Sequence, residues 1–136
     1  MVSAREAHRQ ARPGDGVIGW KLDRDERRHL LTRFPQKYAE PDADHVTLSA
    51  GVLRESALPD ECEGEIVGRS DDSEGVEAMV VRIGGTIDRP DGSTYHITWS
   101  VEPGRHPRES NAVIRRHGWQ PIVPPVPITL RPAHLR

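Results

Sequence analysis

Cysteine is nearly missing from this sequence: Cys62 is the only one in 136 residues. A lone thiol can form neither an intramolecular disulfide nor a cysteine-rich zinc site, which excludes a disulfide-stapled secreted scaffold. The expected compartment is the reducing cytosol. Long apolar runs are also lacking, and none approaches the roughly 20 residues that span a bilayer. The opening segment, MVSAREAHRQARPGDG, has no apolar stretch of signal-peptide type. A soluble protein with no membrane partner is expected. Nor does one sign of charge dominate, since the formal net charge is -2 at pH 7. That near balance excludes the general electrostatic attraction that grips duplex DNA or an anionic membrane, so any polyanion must be met by a local basic patch. No fixed-period repeat and no low-complexity tract occurs.

The length suits one domain with a real core. Residues 1–15 are polar, mixed in charge and end in Pro13, Gly14 and Asp15, so they are expected to form a flexible leader, with a single domain over 16–136. Val17, Ile18, Trp20 and Leu22 suggest a short strand. Leu30, Leu31 and Phe34 then fall at helical spacing, with Asp23 able to cap the start and Pro35 to end it. GEIVGRS and VEAMVVRIGG flank a turn-rich DDSEG, which predicts a hairpin. RPDGS is a strong turn signal leading into TYHITWSVE. RESNAVIRRHG reads as a short helix ended by Gly118, and the proline-rich QPIVPPVPITLRP as an edge strand or extended strap. The fold class is α+β, with mostly antiparallel sheet and few helices.

Two segments repeat one pattern: His45-Val46-Thr47-Leu48 and His96-Ile97-Thr98-Trp99. Side chains alternate along a strand, so His45 and Thr47 share one face and Val46 and Leu48 the other, and the second copy divides in the same way. Ser49 and Ser100 are expected to continue the polar faces. A single His-x-Thr is commonplace; the matched pair is the signal. Cleaving a phosphodiester needs a base for the attacking oxygen and an acid for the leaving one, and histidine does either near neutral pH, with an ordinary pKa of about 6.5. Threonine hydroxyls one side-chain step along can donate to the non-bridging oxygens. His45 and His96 are therefore the candidate catalytic pair, and Thr47 and Thr98 the candidate phosphate-binding hydroxyls. This chemistry requires no metal and no cofactor.

At these residues the sequence resembles the two-histidine (2H) phosphoesterases, whose hallmark is two His-x-Thr/Ser-x motifs on the central strands of a pseudo-symmetric bilobal α+β fold. The resemblance is closest to the cyclic phosphodiesterase domain of fungal and plant tRNA ligases and to bacterial RNA-repair-like relatives. GEIVGRSDD, VEAMVVRIGG and RPDGSTYHITWS followed by PGRHPRESN share that layout, over roughly residues 20–119. The resemblance implies that His45 and His96 are general acid and base, in an order the sequence leaves open. It implies that Thr47 and Thr98 hold the phosphate. The implied partner is an RNA with a 2',3'-cyclic phosphate end or a small nucleotide, opened to a 2'-phosphate. Neither Lys21 nor Lys37 sits in a Lys-x-x-Gly motif and there is no GxxxxGK loop, so ligase and kinase steps are not expected.

Arg105 and Arg108 follow the second motif and are candidate phosphate contacts, with Ser110 and Asn111 as local bracing groups. Tyr95 and Trp99 have the parity of core residues. His106 and His117 sit in polar, helix-flanking contexts, and His8, His29 and His134 lack spaced partners of zinc-site type, so all five read as surface histidines. Three other functions stay open at this point: cleavage of a cyclic oligonucleotide signal, a non-catalytic RNA-end or nucleotide-binding module, and a plain structural domain.

Overall fold

The computed structural model describes residues 2–136. It has α+β architecture: helices α1 (Ala4–Gln10), α2 (Arg24–Arg33) and α3 (Ser110–His117) pack on one antiparallel sheet. The strands are β1 (Pro13–Leu22), β2 (Glu40–Pro41), β3 (His45–Val52), β4 (Glu63–Asp71), β5 (Val76–Arg82), β6 (His96–Val101) and β7 (Gln120–His134). Their order across the sheet is β2-β6-β5-β4-β7-β1-β3. β2 and β3 thus lie at opposite ends of the sheet yet are adjacent in sequence. The chain from Pro41 to His45 can reach on the order of 15 Å at full stretch, so the sheet has to curl until its two ends meet. Asp42 N and Ala43 N donate to the carbonyls of Trp99 and Thr98, at 2.9 and 2.8 Å, and keep this stretch beside β6 until the chain crosses into β3. His45 is the first residue after the crossing.

The local signals that were strongest in sequence form as expected. Asp23 caps α2 by accepting from Glu26 N, and Gly118 ends α3 in a left-handed conformation, φ 69°. β4 and β5 form the expected hairpin around residues 72–75. Trp99 and Tyr95 are buried, and Trp20 meets Tyr95 edge to face at 5.8 Å with its indole N–H donating to the Glu61 carbonyl.

Two expectations about the ends of the chain need correction. In place of a flexible leader over residues 1–15, α1 packs on the core through Ala4 and Ala7, and β1 begins at Pro13. Ser3 caps this helix, Glu61 accepts from Ala4 N at 2.9 Å, and His8 Nδ1 lies 2.5 Å from Ser49 Oγ. Two small residues three apart suffice to seat a helix closely, and they carry too little hydrophobicity to stand out in a polar sequence. The proline-rich tail is also no edge strap, because β7 lies inside the sheet between β4 and β1. Its prolines are tolerated because each half pairs on one side only: residues 120–129 with β4 and 130–134 with β1. Each half is locally an edge, which leaves a side free of the N–H donors that proline lacks.

The two His-x-Thr strands share one irregularity. On β3 the register runs Gly19↔Thr47 and then Ile18↔Ser49, passing over Leu48; on β6 it runs Ala78↔Thr98 and then Glu77↔Ser100, passing over Trp99. Each is a bulge at the fourth residue of the motif, and a bulge shifts the side-chain alternation by one. Ser49 and Ser100 therefore turn inward and are buried, contrary to the expected continuation of the polar faces. Gly19 makes the first bulge fit, since a Cβ there would lie 2.1 Å from the Val46 carbonyl oxygen. Gly19→Ala should push β3 off β1 and lower stability by about 2–3 kcal/mol in urea unfolding. A loss below about 0.5 kcal/mol would contradict this close approach.

Candidate active site

Where the curled sheet brings β3 and β6 together, a cavity of about 490 Å³ opens, lined by His45, Thr47, His96, Thr98 and Arg108 among others. The two copies of the sequence motif thus contribute to a single hollow. Three other surface hollows are similar in size, one of about 500 Å³ beside Glu63 and Arg82, one of about 600 Å³ beside Lys37 and Trp119 and one of about 460 Å³ beside Glu61 and Tyr95, but none is lined by a pair of histidines.

The two imidazoles have different surroundings. His96 Nδ1 is 2.9 Å from the Thr94 carbonyl, which can only accept, so Nδ1 carries the proton and Nε2 keeps its lone pair. Burial pushes this histidine down to about 4, helped by the positive charges of Arg89 and His45 and opposed by the Thr94 carbonyl. At neutral pH His96 is a neutral base with one nitrogen available.

His45 is about one-third exposed, and its Nδ1 donates to Asp44 Oδ2 at 3.0 Å. The carboxylate fixes the ring through Nδ1 and places negative charge behind it, which leaves Nε2 as the nitrogen available for proton transfer. Burial alone would raise the Asp44 carboxyl, but hydrogen bonds from Lys21, Arg24 and His45 outweigh it and hold the group well below the usual carboxylate range. Asp42 lies close by, and burial raises its carboxyl against the pull of His45, Arg27 and Lys21. Asp42, Asp44 and His45 each place a potential ligand atom within 4.8 Å of the others. A divalent cation fits this trio poorly, because Asp44 already pairs with Lys21 at 2.8 Å and Arg24 at 2.6 Å, and both would repel it.

The threonines also differ. Thr47 is half-buried and its hydroxyl has no partner among the described residues. Thr98 is buried, and its Oγ1 lies 3.1 Å from the Pro107 carbonyl and 2.8 Å from Ser110 Oγ. Of the two candidate arginines, Arg108 lines the cavity with an uncommitted guanidinium among the described residues. Arg105 does not line it: this side chain ties Asp72, Glu109 and the Glu74 carbonyl together, as a brace between the β4–β5 turn and the loop after β6. The proposed phosphate contact at Arg105 is therefore corrected to a structural one.

Ser110 is the bracing group expected. Asn111 reaches the cavity wall, with its Oδ1 buried and unpartnered. His106, read as a surface histidine, also lines the cavity, and its Nδ1 accepts from Arg108 N at 3.3 Å. The group sequence reasoning missed is Arg89, which is only 8% exposed and lies in the cavity wall. It belongs to the RPDGS turn, where turn chemistry masked it. Of the charged side chains lining the cavity, Lys21, Arg89, Arg108 and Arg136 outnumber Asp42 and Asp44, with Lys21 already paired to Asp44, so the lining favours an anion.

Compared with known proteins, the chain matches no family model, no curated protein and no solved structure.

Proposed function

We propose that this protein is an acid–base phosphodiesterase working through its two histidines. The observation that carries the reading is the pairing of two differently placed imidazoles in one cation-lined cavity: His96 buried with its Nδ1 on the Thr94 carbonyl, and His45 a third exposed with its Nδ1 on the Asp44 carboxylate, from which His45 acts in its doubly protonated form. The matched bulges of β3 and β6 support descent of the two halves of the site from one pattern, as in the bilobal 2H enzymes. Within that class, the reading is a metal-independent 2',3'-cyclic phosphodiesterase acting on RNA ends or nucleotides.

His96 Nε2 takes a proton from water as the water oxygen bonds to phosphorus. The bond from phosphorus to the 3' oxygen breaks, and His45 Nε2–H protonates that oxygen. The product is a 2'-phosphomonoester, and the histidines exchange protonation states, which solvent resets. Thr47 donates to a non-bridging oxygen as charge builds there. Both proton transfers are supplied by side chains, so activity should persist in EDTA.

Incubation of 2',3'-cyclic nucleotides and of cyclic-phosphate-ended RNA with the protein in EDTA, followed by ³¹P NMR, should show conversion to a 2'-phosphomonoester. A panel without turnover, or turnover only on added metal, counts against the reading; a linear product from a cyclic oligonucleotide alone would move the substrate to that class. The sign of the pH dependence follows from His96. Below pH about 4 it is protonated and cannot act as base, so kcat/KM rises with pH through that region.

A further inference from the structure

The matched motifs invite a symmetric phosphate clamp, with Thr47 and Thr98 as equivalent hydroxyls. Proton counting opposes this. A threonine hydroxyl has a single hydrogen to donate. Thr98 Oγ1 faces the Pro107 carbonyl, which can only accept, and lies 2.8 Å from Ser110 Oγ. The arrangement satisfying all three groups has Ser110 donating to Thr98 and Thr98 donating to Pro107. Its one proton is then committed to the loop after β6. Giving it to a substrate oxygen would break that bond and leave the Pro107 carbonyl with the Ser110 backbone N–H alone.

Arg89 has the opposite surplus. Its Nε donates to Ser93 Oγ at 2.7 Å and to Asp91 Oδ1 at 3.2 Å, and its Nη1 to the Thr47 carbonyl at 3.3 Å. Nη2 has no partner among the described residues. A guanidinium carries five N–H groups, so three remain uncommitted on a side chain that is 8% exposed. These free N–H groups are not sealed in, since Asn111 Oδ1 alone is a fully buried unpartnered side-chain atom among the described residues, so they stand open to an anion that completes them. The position is equally telling. Arg89 leaves the loop that feeds β6 and reaches the Thr47 backbone on β3, so it spans the gap between the two histidine strands. Asp91 and Ser93 pin its Nε from the same turn, and Asp91 is itself held by Ser93 N and Oγ, which presets the side chain.

We propose that Arg89, rather than Thr98, is the second anchor for the non-bridging oxygens of a phosphate bound beside Thr47, and that Thr98 is a positioning residue holding the Arg108 loop. This rests on the reading of the cavity as a phosphodiester site. Paired N–H groups match two oxygens of one phosphate, and a preset arginine loses little freedom in binding. The clamp is asymmetric: a neutral hydroxyl from the first motif and a buried cation from the turn before the second.

The test reads anion binding without turnover, with inorganic phosphate as the probe and the full-length protein followed by NMR. Arg89→Gln should weaken phosphate binding about tenfold or more, Thr47→Val severalfold, and Thr98→Val less than about twofold. In Arg89→Gln the His96 imidazole should also titrate at higher pH, because Arg89 disfavours its protonation while His45, Asp91 and the Thr94 carbonyl still face it unchanged. Arg89→Lys, which keeps the charge but not the paired donors, should leave His96 low while restoring phosphate binding only in part. Phosphate binding retained in Arg89→Gln but lost about tenfold in Thr98→Val would overturn the proposal, as would a wild-type protein that binds no phosphate at millimolar levels. Binding that follows the expected pattern in a protein that turns over no diester would leave the clamp standing and remove the catalytic reading alone.

Discussion

Replacing His96 with alanine should lower kcat on a 2',3'-cyclic phosphate by about 10²–10⁴, and His45→Ala should do the same, with KM little changed in either. The two effects should not add, because acid and base serve one transition state; the double variant should be only slightly worse than the weaker single one. The pH profiles should separate the roles. Loss of His96 removes the ionisation near pH 4 and with it the rising limb, whereas His45→Ala leaves that limb in place. Steady-state kinetics from pH 3.5 upward, within the range where the fold persists, gives both numbers. Full activity in either alanine variant would show that the cavity serves another purpose.

The largest stability effect should come from a residue outside the cavity. Glu77 is wholly buried, and its carboxylate accepts four hydrogen bonds: from Lys37 N and Ser100 Oγ at 2.7 Å each, and from Arg69 Nε and Nη2 at 3.0 and 2.7 Å. Arg69 also donates to the Pro35 carbonyl, and Ser100 accepts from Tyr38 N. One side chain thereby fastens the segment between α2 and β2 to the sheet, and that segment leads directly into Asp42, Asp44 and His45. Glu77→Ala would leave a guanidinium, a hydroxyl and an amide N–H without their acceptor. The expected loss is about 3–5 kcal/mol, or roughly 10–15 °C in Tm for a chain of this size. Glu77→Gln keeps the shape but turns an amide donor toward one of the donors, so it should recover only part of the loss. Thermal unfolding of both variants decides the matter, and a drop of less than about 1 kcal/mol in Glu77→Ala would mean that this network is not what anchors the segment.

Local signals carried the reading of the sequence a considerable way. The cap at Asp23, the β4–β5 hairpin and the strand parity of His45 with Thr47 depend on residues a few positions apart, and all are present in the fold. The matched His-x-Thr segments even foreshadow matched bulges. What escaped depends on distant partners. Thr98 is committed through Ser110, and Arg89 gains its place only when the sheet curls and brings the Thr47 carbonyl within reach, 42 residues away. The helix at Ala4–Gln10 shows nothing but two alanines to the core, and the prolines of β7 read as edge signals because the strand changes its pairing side midway. In each case the competing local interpretation was sound chemistry, and tertiary pairing changed its meaning.

The division of labour between the two histidines is tested most directly by changing the leaving group. A nucleoside p-nitrophenyl phosphodiester expels p-nitrophenolate, which needs no proton, so the acid becomes dispensable while the base does not. On this substrate His45→Ala should approach wild-type kcat, whereas His96→Ala should remain impaired by about 10²–10⁴. Rescue of His96→Ala with His45→Ala still impaired would reverse the assignment, and equal impairment of both would contradict acid–base catalysis by this pair.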